Sequence, residues 1–124
     1  MHNYKQLKVW QESLTLVTQM YRITKKFPKE ELFGITSQIR RAAVSIPANI
    51  SEGAGRNTNK AFLQFLGIAE GSSNELMTLL LISQNIEYVK PEELVPALTS
   101  LSAVQKMIYT FRTKLEKTES NKPV

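Results

Sequence analysis

Apolar residues in the first quarter of the chain recur at helical spacing. Leu7, Trp10, Leu14, Val17, Tyr21 and Thr24 follow one another at steps of three and four, which places them along one stripe of an α-helix. A second stripe of Val9, Leu16, Met20, Ile23 and Phe27 runs beside it, so a broad buried face is expected. Pro28 biases its predecessor away from helical backbone, and this predicts a helix end at Lys26 or Phe27. Gly34 then acts as a breaker, with Thr36 or Ser37 as the expected N-cap of the next helix.

The third periodic segment opens after Thr58, a plausible cap. It carries Phe62, Phe65, Ala69, Ser72, Leu76, Leu79, Ser83 and Ile86 along one seam, flanked by Leu66, Met77 and Leu80. At about 1.5 Å per residue, 30 such residues would span roughly 45 Å. A fourth stripe runs through Leu98, Leu101, Val104, Ile108, Phe111 and Leu115. Pro91 suits a first helical position, and Glu92 and Glu93 suit a positive helix N-terminus. Pro96 leaves two alternatives: a separate first turn, or a regular helix that begins at Pro96 itself. No segment alternates with period two and no Asn-Gly or Asp-Gly hairpin turn occurs. Four amphipathic helices with short connections pack most economically as an all-α, antiparallel up-and-down four-helix bundle. A single domain over residues 1–124 is expected, with an ordered core over about 4–117 and a polar, fraying tail.

The second helix lies in "SQIRRAAVSIPANISEGAGR", Ser37 to Arg56. Ile39, Ala42, Ala43, Ile46, Ile50 and Gly53 make its apolar face, while Gln38, Arg41, Ser45, Asn49, Glu52 and Arg56 make an unbroken polar stripe. Pro47 sits in the middle, where it removes a backbone donor at a cost of about 3 kcal/mol. Either the helix kinks there, with Ser45 or Asn49 satisfying freed backbone groups, or one helix ends near Val44 and another starts at Pro47. Both stripes keep phase across the proline, which favours the kink. In the third helix Gly67, Gly71, Ser72 and Ser73 fall mid-helix. Each glycine costs about 1 kcal/mol relative to alanine, so another helix or another subunit is expected to pack close to them.

Charge adds to this picture. The net +5 is uneven: residues 1–60 hold ten Lys/Arg against four Asp/Glu, and residues 61–124 hold six against seven. A basic half attracts phosphate backbones or acidic partners. Arg40, Arg41, Arg56 and Lys60 bracket the second helix and its exit, and Lys5, Lys8, Arg22, Lys25, Lys26 and Lys29 add charge along the first. These make RNA or DNA a candidate partner through Arg40, Arg41, Arg56 and Lys60. Gln38, Arg41, Ser45, Asn49 and Glu52 form the candidate polar network within or between subunits. No RNA- or DNA-reading module and no aromatic-basic interleaving that would stack bases is visible, so binding would follow shape and charge more than sequence.

Enzymatic chemistry finds no support. The chain has no Cys and a single His, His2, placed in a terminus expected to be loose. The Glu-x-x-His pairs of carboxylate-bridged metal bundles are therefore absent. "EGAGR" lacks the lysine and the preceding strand of a phosphate-binding loop, and Ser45 and Ser51 have no histidine partner for a triad. The expectation is a non-enzymatic protein with no cofactor and no metal. No apolar run approaches the roughly 18 residues of a membrane span, and "MHNYKQLKVW" has no apolar signal core, which makes the cytoplasm the expected location.

"FPKEELFGITSQIRRAAVSIPANISEGAGR", followed by "FLQFLGIAEGSSNEL", closely resembles the four-helix-bundle proteins encoded in bacterial 23S rRNA intervening sequences. The resemblance runs from about Tyr4 to Leu115. It implies a four-helix bundle that assembles as a homo-oligomer, with a pentamer the associated arrangement. The chain is also similar to the accessory proteins of diversity-generating retroelements, basic pentameric bundles that bind nucleic acid and a reverse transcriptase. On that resemblance Gln38, Arg41, Ser45, Pro47, Asn49, Glu52 and Gly53 match the family motif, as do Gly71, Ser72 and Glu75. The rival expectation is an assembly or adaptor protein with a protein partner, such as a reverse transcriptase, for which Tyr4, Trp10 and Phe33 would be anchors if exposed.

Overall fold

The computed structural model describes residues 2–123. Four helices follow one another: α1 (Lys8–Thr24), α2 (Ile35–Ala54), α3 (Asn59–Asn85) and α4 (Pro91–Ser120), with 3-10 turns at Tyr4–Gln6 and Lys29–Glu31. Short connections make consecutive helices antiparallel neighbours. α1 packs on α2, α2 on α3 and α3 on α4, and α4 closes against α1, with the α2–α3 contact the most extensive. This is the all-α up-and-down bundle expected from the periodicity.

The core selects between the two stripes of α1. Val9, Leu16, Met20 and Phe27 are buried, whereas Leu14 and Tyr21 of the other stripe are 42% and 44% exposed. Trp10 is half-buried at the edge of the core, with its ring 5.2 Å from that of Tyr4. The apolar face of α2 is buried along its whole length. Facing it are Phe62, Leu66, Ala69, Leu76 and Leu80 of α3. Leu94, Leu101, Val104 and Ile108 complete the core from α4.

Helix ends follow local chemistry in some places and not in others. Thr58 caps α3, its hydroxyl accepting the Ala61 N–H at 3.1 Å. The start of α2 differs from expectation: Gly34 holds the N-cap position, its carbonyl accepting the Gln38 N–H at 3.1 Å, without a side-chain cap. Thr36 is buried inside the first turn and its hydroxyl has no protein partner. α2 runs through Pro47 as one helix, and Asn49 Nδ2 donates to the Ser45 carbonyl at 2.8 Å. That bond spans the turn that contains the proline, while the carbonyl deprived of its donor is that of Ala43, four residues before Pro47. α4 begins at Pro91 and carries Pro96 within it, so Pro91 is the true start. The helix also extends through Ser120, beyond the expected fraying point.

The end of α3 is closed by a Schellman motif. The Tyr88 N–H reaches the Ser83 carbonyl at 2.9 Å and the Glu87 N–H reaches that of Gln84 at 3.0 Å. The residue just past the C-cap Ile86, usually glycine in this motif, is Glu87 at φ 65°. A Cβ there costs about 1–2 kcal/mol, so Glu87→Gly is expected to raise stability by about 1 kcal/mol in chemical denaturation. An unchanged or lower midpoint would show that the Glu87 side chain contributes more than its backbone strain costs.

His2 is not loose. Its N–H donates to the Ala54 carbonyl at 3.0 Å, and its ring lies 5.1 Å from Phe62 and 5.9 Å from Phe111. This aromatic cluster ties the N-terminus to α2, α3 and α4. Periodicity could not reveal it, because His2 lies outside every helix.

Candidate nucleic-acid interface

The four basic residues singled out around α2 fall into two separate groups. Arg40 and Arg41 lie near its N-terminal end, and Arg56 and Lys60 near the turn into α3. The helix from Arg41 to its end at Ala54 rises roughly 20 Å, and Arg56 lies just beyond that end.

Arg40 is committed to α1. Its Nε donates to Thr24 Oγ1 at 2.9 Å, and its guanidinium sits 4.5 Å from the Tyr21 ring centroid. Thr24 in turn donates to the Met20 carbonyl at 2.7 Å, so the buried hydroxyl both donates and accepts. Arg56 pairs with Glu52 at 3.1 Å and lies 4.8 Å from the Phe65 ring centroid. Exposed pairs of this kind contribute little stability. Arg41 and Lys60 are exposed and have no ion-pair partner among the described residues.

The polar stripe of α2 likewise divides. Asn49 Nδ2 reaches Ser45 Oγ at 2.9 Å, and the Ser45 and Ser72 hydroxyls are 2.8 Å apart. These three link α2 to α3. Glu52 is not in this network, being bound to Arg56 one turn on. Gln38 and Arg41 line a groove of about 470 Å³ between α2 and α3, with Ser45, Ser72 and Glu75 as its other polar walls. Earlier in α3, Gly67 and Gly71 are exposed, and a Cβ on either would meet nothing within 4 Å. Among the described residues no helix packs there.

Two grooves join at the α1–α2 end. One, of about 600 Å³, is lined by Tyr21, Leu32, Phe33, Arg40, Arg41 and Val44, among others. The second, of about 350 Å³, shares Leu32 and Arg40 and adds Lys25 and Lys29. The fold therefore assembles a basic and aromatic surface that no local stretch displays, from residues on α1, the connection and α2. Of the ten basic residues in the first 60, only Lys26 and Arg56 pair with a carboxylate among the described residues, Lys26 reaching Glu93 at 3.9 Å.

Glu31 and Glu70 are engaged elsewhere. Glu31 accepts the Tyr88 hydroxyl at 2.8 Å, which raises the Tyr88 phenol above its ordinary value of 10.0. Glu70 is paired with Arg112 at 2.6 Å across α3 and α4. Hydrogen bonding to Glu116, with Glu70 adding its charge, raises the Arg112 guanidinium further. The Glu70–Arg112 pair joins residues 42 apart in sequence, beyond the reach of any spacing argument. Among the described residues no group of three His, Cys, Asp or Glu side chains converges as a metal site would require. Nor is any helix of the described residues long and apolar enough to cross a membrane.

Comparison with known proteins agrees with this architecture. A crystal structure of a protein of unknown function from the S23 ribosomal protein family of Bacteroides thetaiotaomicron is similar, with a TM-score of 0.76 and 23% identity, covering 84% of this chain and 97% of that one. At that identity the likeness concerns the fold. A search of curated proteins gives no match. The model of the 23S rRNA-intervening sequence protein family matches residues 5–110. With most of the chain, including α1, α2, α3 and the SIPANISEG segment of α2, inside that match, this chain belongs to the 23S rRNA-intervening sequence protein family.

Proposed function

We propose that this protein is a non-enzymatic, self-associating four-helix bundle that binds RNA or DNA through its basic surface by charge and shape, in the cytoplasm. The observation that carries the reading is the α1–α2 end, where Lys25, Lys29 and Arg41 line adjoining grooves with Arg40 and pair with no carboxylate among the described residues. Unpaired cations around a concavity concentrate phosphate. Self-association is supported by Gly67 and Gly71, whose helix cost has no compensating contact among the described residues. The neighbouring groove with Gln38, Arg41 and Glu75 offers both signs of charge to a second copy. A ring of copies, five on the family resemblance, would multiply the chain's +5 accordingly.

A salt-titrated binding assay against a structured RNA and a duplex DNA tests the first part. Affinity is expected to fall linearly on logarithmic axes as salt rises. Absence of binding even at low salt would sink it. Light scattering at micromolar concentration tests the second, for which a mass of 14.1 kDa, that of one chain, is the defeating result. A protein partner in place of nucleic acid is the second reading. It is favoured by one observation, the 93% exposure of Phe33.

A further inference from the structure

We infer that the α1–α2 groove is a site for single-stranded nucleic acid, in which unpaired bases stack on Phe33 and on the Arg40–Tyr21 pair while Lys25, Lys29 and Arg41 hold phosphates. This rests on the nucleic-acid reading above and names its ligand class. Phe33 projects from the connection before α2 with 93% of its surface in water, where a phenylalanine forgoes the benefit of burial. Tyr21 is 44% exposed in the same groove. Over its ring lies the Arg40 guanidinium, held in orientation by Thr24. Aromatic rings and guanidinium planes are the two surfaces on which splayed bases stack. In a duplex the faces of paired bases are already stacked on one another, so an exposed ring has nothing to engage.

Charge separates this ligand from a protein. Lysine is depleted from protein–protein interfaces, yet Lys25 and Lys29 line the joined groove. Of the carboxylates of the neighbouring turn, Glu31 accepts the Tyr88 hydroxyl, and neither Glu30 nor Glu31 lines either groove.

The experiment is anisotropy with a labelled oligouridine and a duplex of equal length, using the full chain and its Phe33→Ala and Phe33→Trp variants. Phe33 is too exposed for either change to disturb the core, which circular dichroism checks. Phe33→Ala is expected to weaken oligouridine binding by roughly 5- to 150-fold, the span of one stacked base. Its salt slope and duplex affinity should stay unchanged, and Phe33→Trp should retain wild-type binding. Equal oligouridine affinity in wild type and Phe33→Ala, with salt dependence intact, would overturn stacking and leave the charge reading standing. No binding by wild type at low salt would remove both. A Phe33→Ala variant that loses assembly mass, or capture of a specific protein, but not oligouridine affinity would make Phe33 a protein contact instead.

Discussion

Replacing Lys25, Lys29 and Arg41 together by glutamate is expected to abolish nucleic-acid binding at moderate salt without unfolding the bundle. Each phosphate contact contributes roughly 0.7 to 0.9 to the slope of log affinity against log salt. Losing three should flatten it by about 2 to 3, and three new negative charges add repulsion. All three side chains are on the surface, where substitutions change stability by about 0.5 kcal/mol or less each. Arg40 is left in place because its bond to Thr24 and its stacking on Tyr21 hold α1 to α2. Lys60→Glu is the comparison, since Lys60 lies in the first turn of α3, past the far end of α2. It should cost much less than the triple change. Equal losses from the two variants would show that the whole surface binds diffusely, and retained affinity in the triple variant would dismiss the α1–α2 end as the site.

The helices and most of their faces were legible because burial repeats with the helical period. Ile39, Ala42, Ala43, Ile46 and Ile50 could be assigned to the core from spacing alone, and all are buried. α1 was ambiguous, since two apolar stripes compete for one interior. Only the position of α2 and α4 decides that Leu16 and Met20 go inside and Tyr21 stays out. Caps were legible where a side chain performs the capping, as at Thr58. They were hidden where glycine opens the helix, as at Gly34, and where Glu87 adopts a conformation typical of glycine. The candidate site was least legible of all. Tyr21, Phe33 and Arg40 are separated by 7 to 19 positions, and their approach is a product of tertiary structure. Spacing placed Glu52 on a common stripe with Arg41 and Asn49, but a carboxylate on a helix has an equally close neighbour at i+4, and Arg56 takes it.

The largest expected loss of stability is at Phe62. Its ring is 1% exposed, stands 5.3 Å from Phe111 and 5.1 Å from His2, and faces Gly53 across the α2–α3 crossing. Phe62→Ala should cost about 3–5 kcal/mol through lost burial and the cavity left behind. At about 4 °C per kcal/mol for a domain of this size, the thermal midpoint would fall by roughly 12–20 °C. Gly53→Ala tests the same crossing from the other side. A Cβ there would stand 2.7 Å from Phe62 Cδ1 and 2.7 Å from Phe65 Cβ. The phenyl ring can rotate, but Phe65 Cβ is fixed to the α3 backbone, so the helices must separate. Overpacking of about 1–3 kcal/mol then exceeds the gain of about 1 kcal/mol that alanine brings to a helix. Combined with Phe62→Ala, the Gly53→Ala penalty should shrink but persist, because the Phe65 contact remains. A penalty that vanishes in the double variant would assign the whole constraint to the Phe62 ring, and one that is unchanged would assign it to the approach of the two backbones.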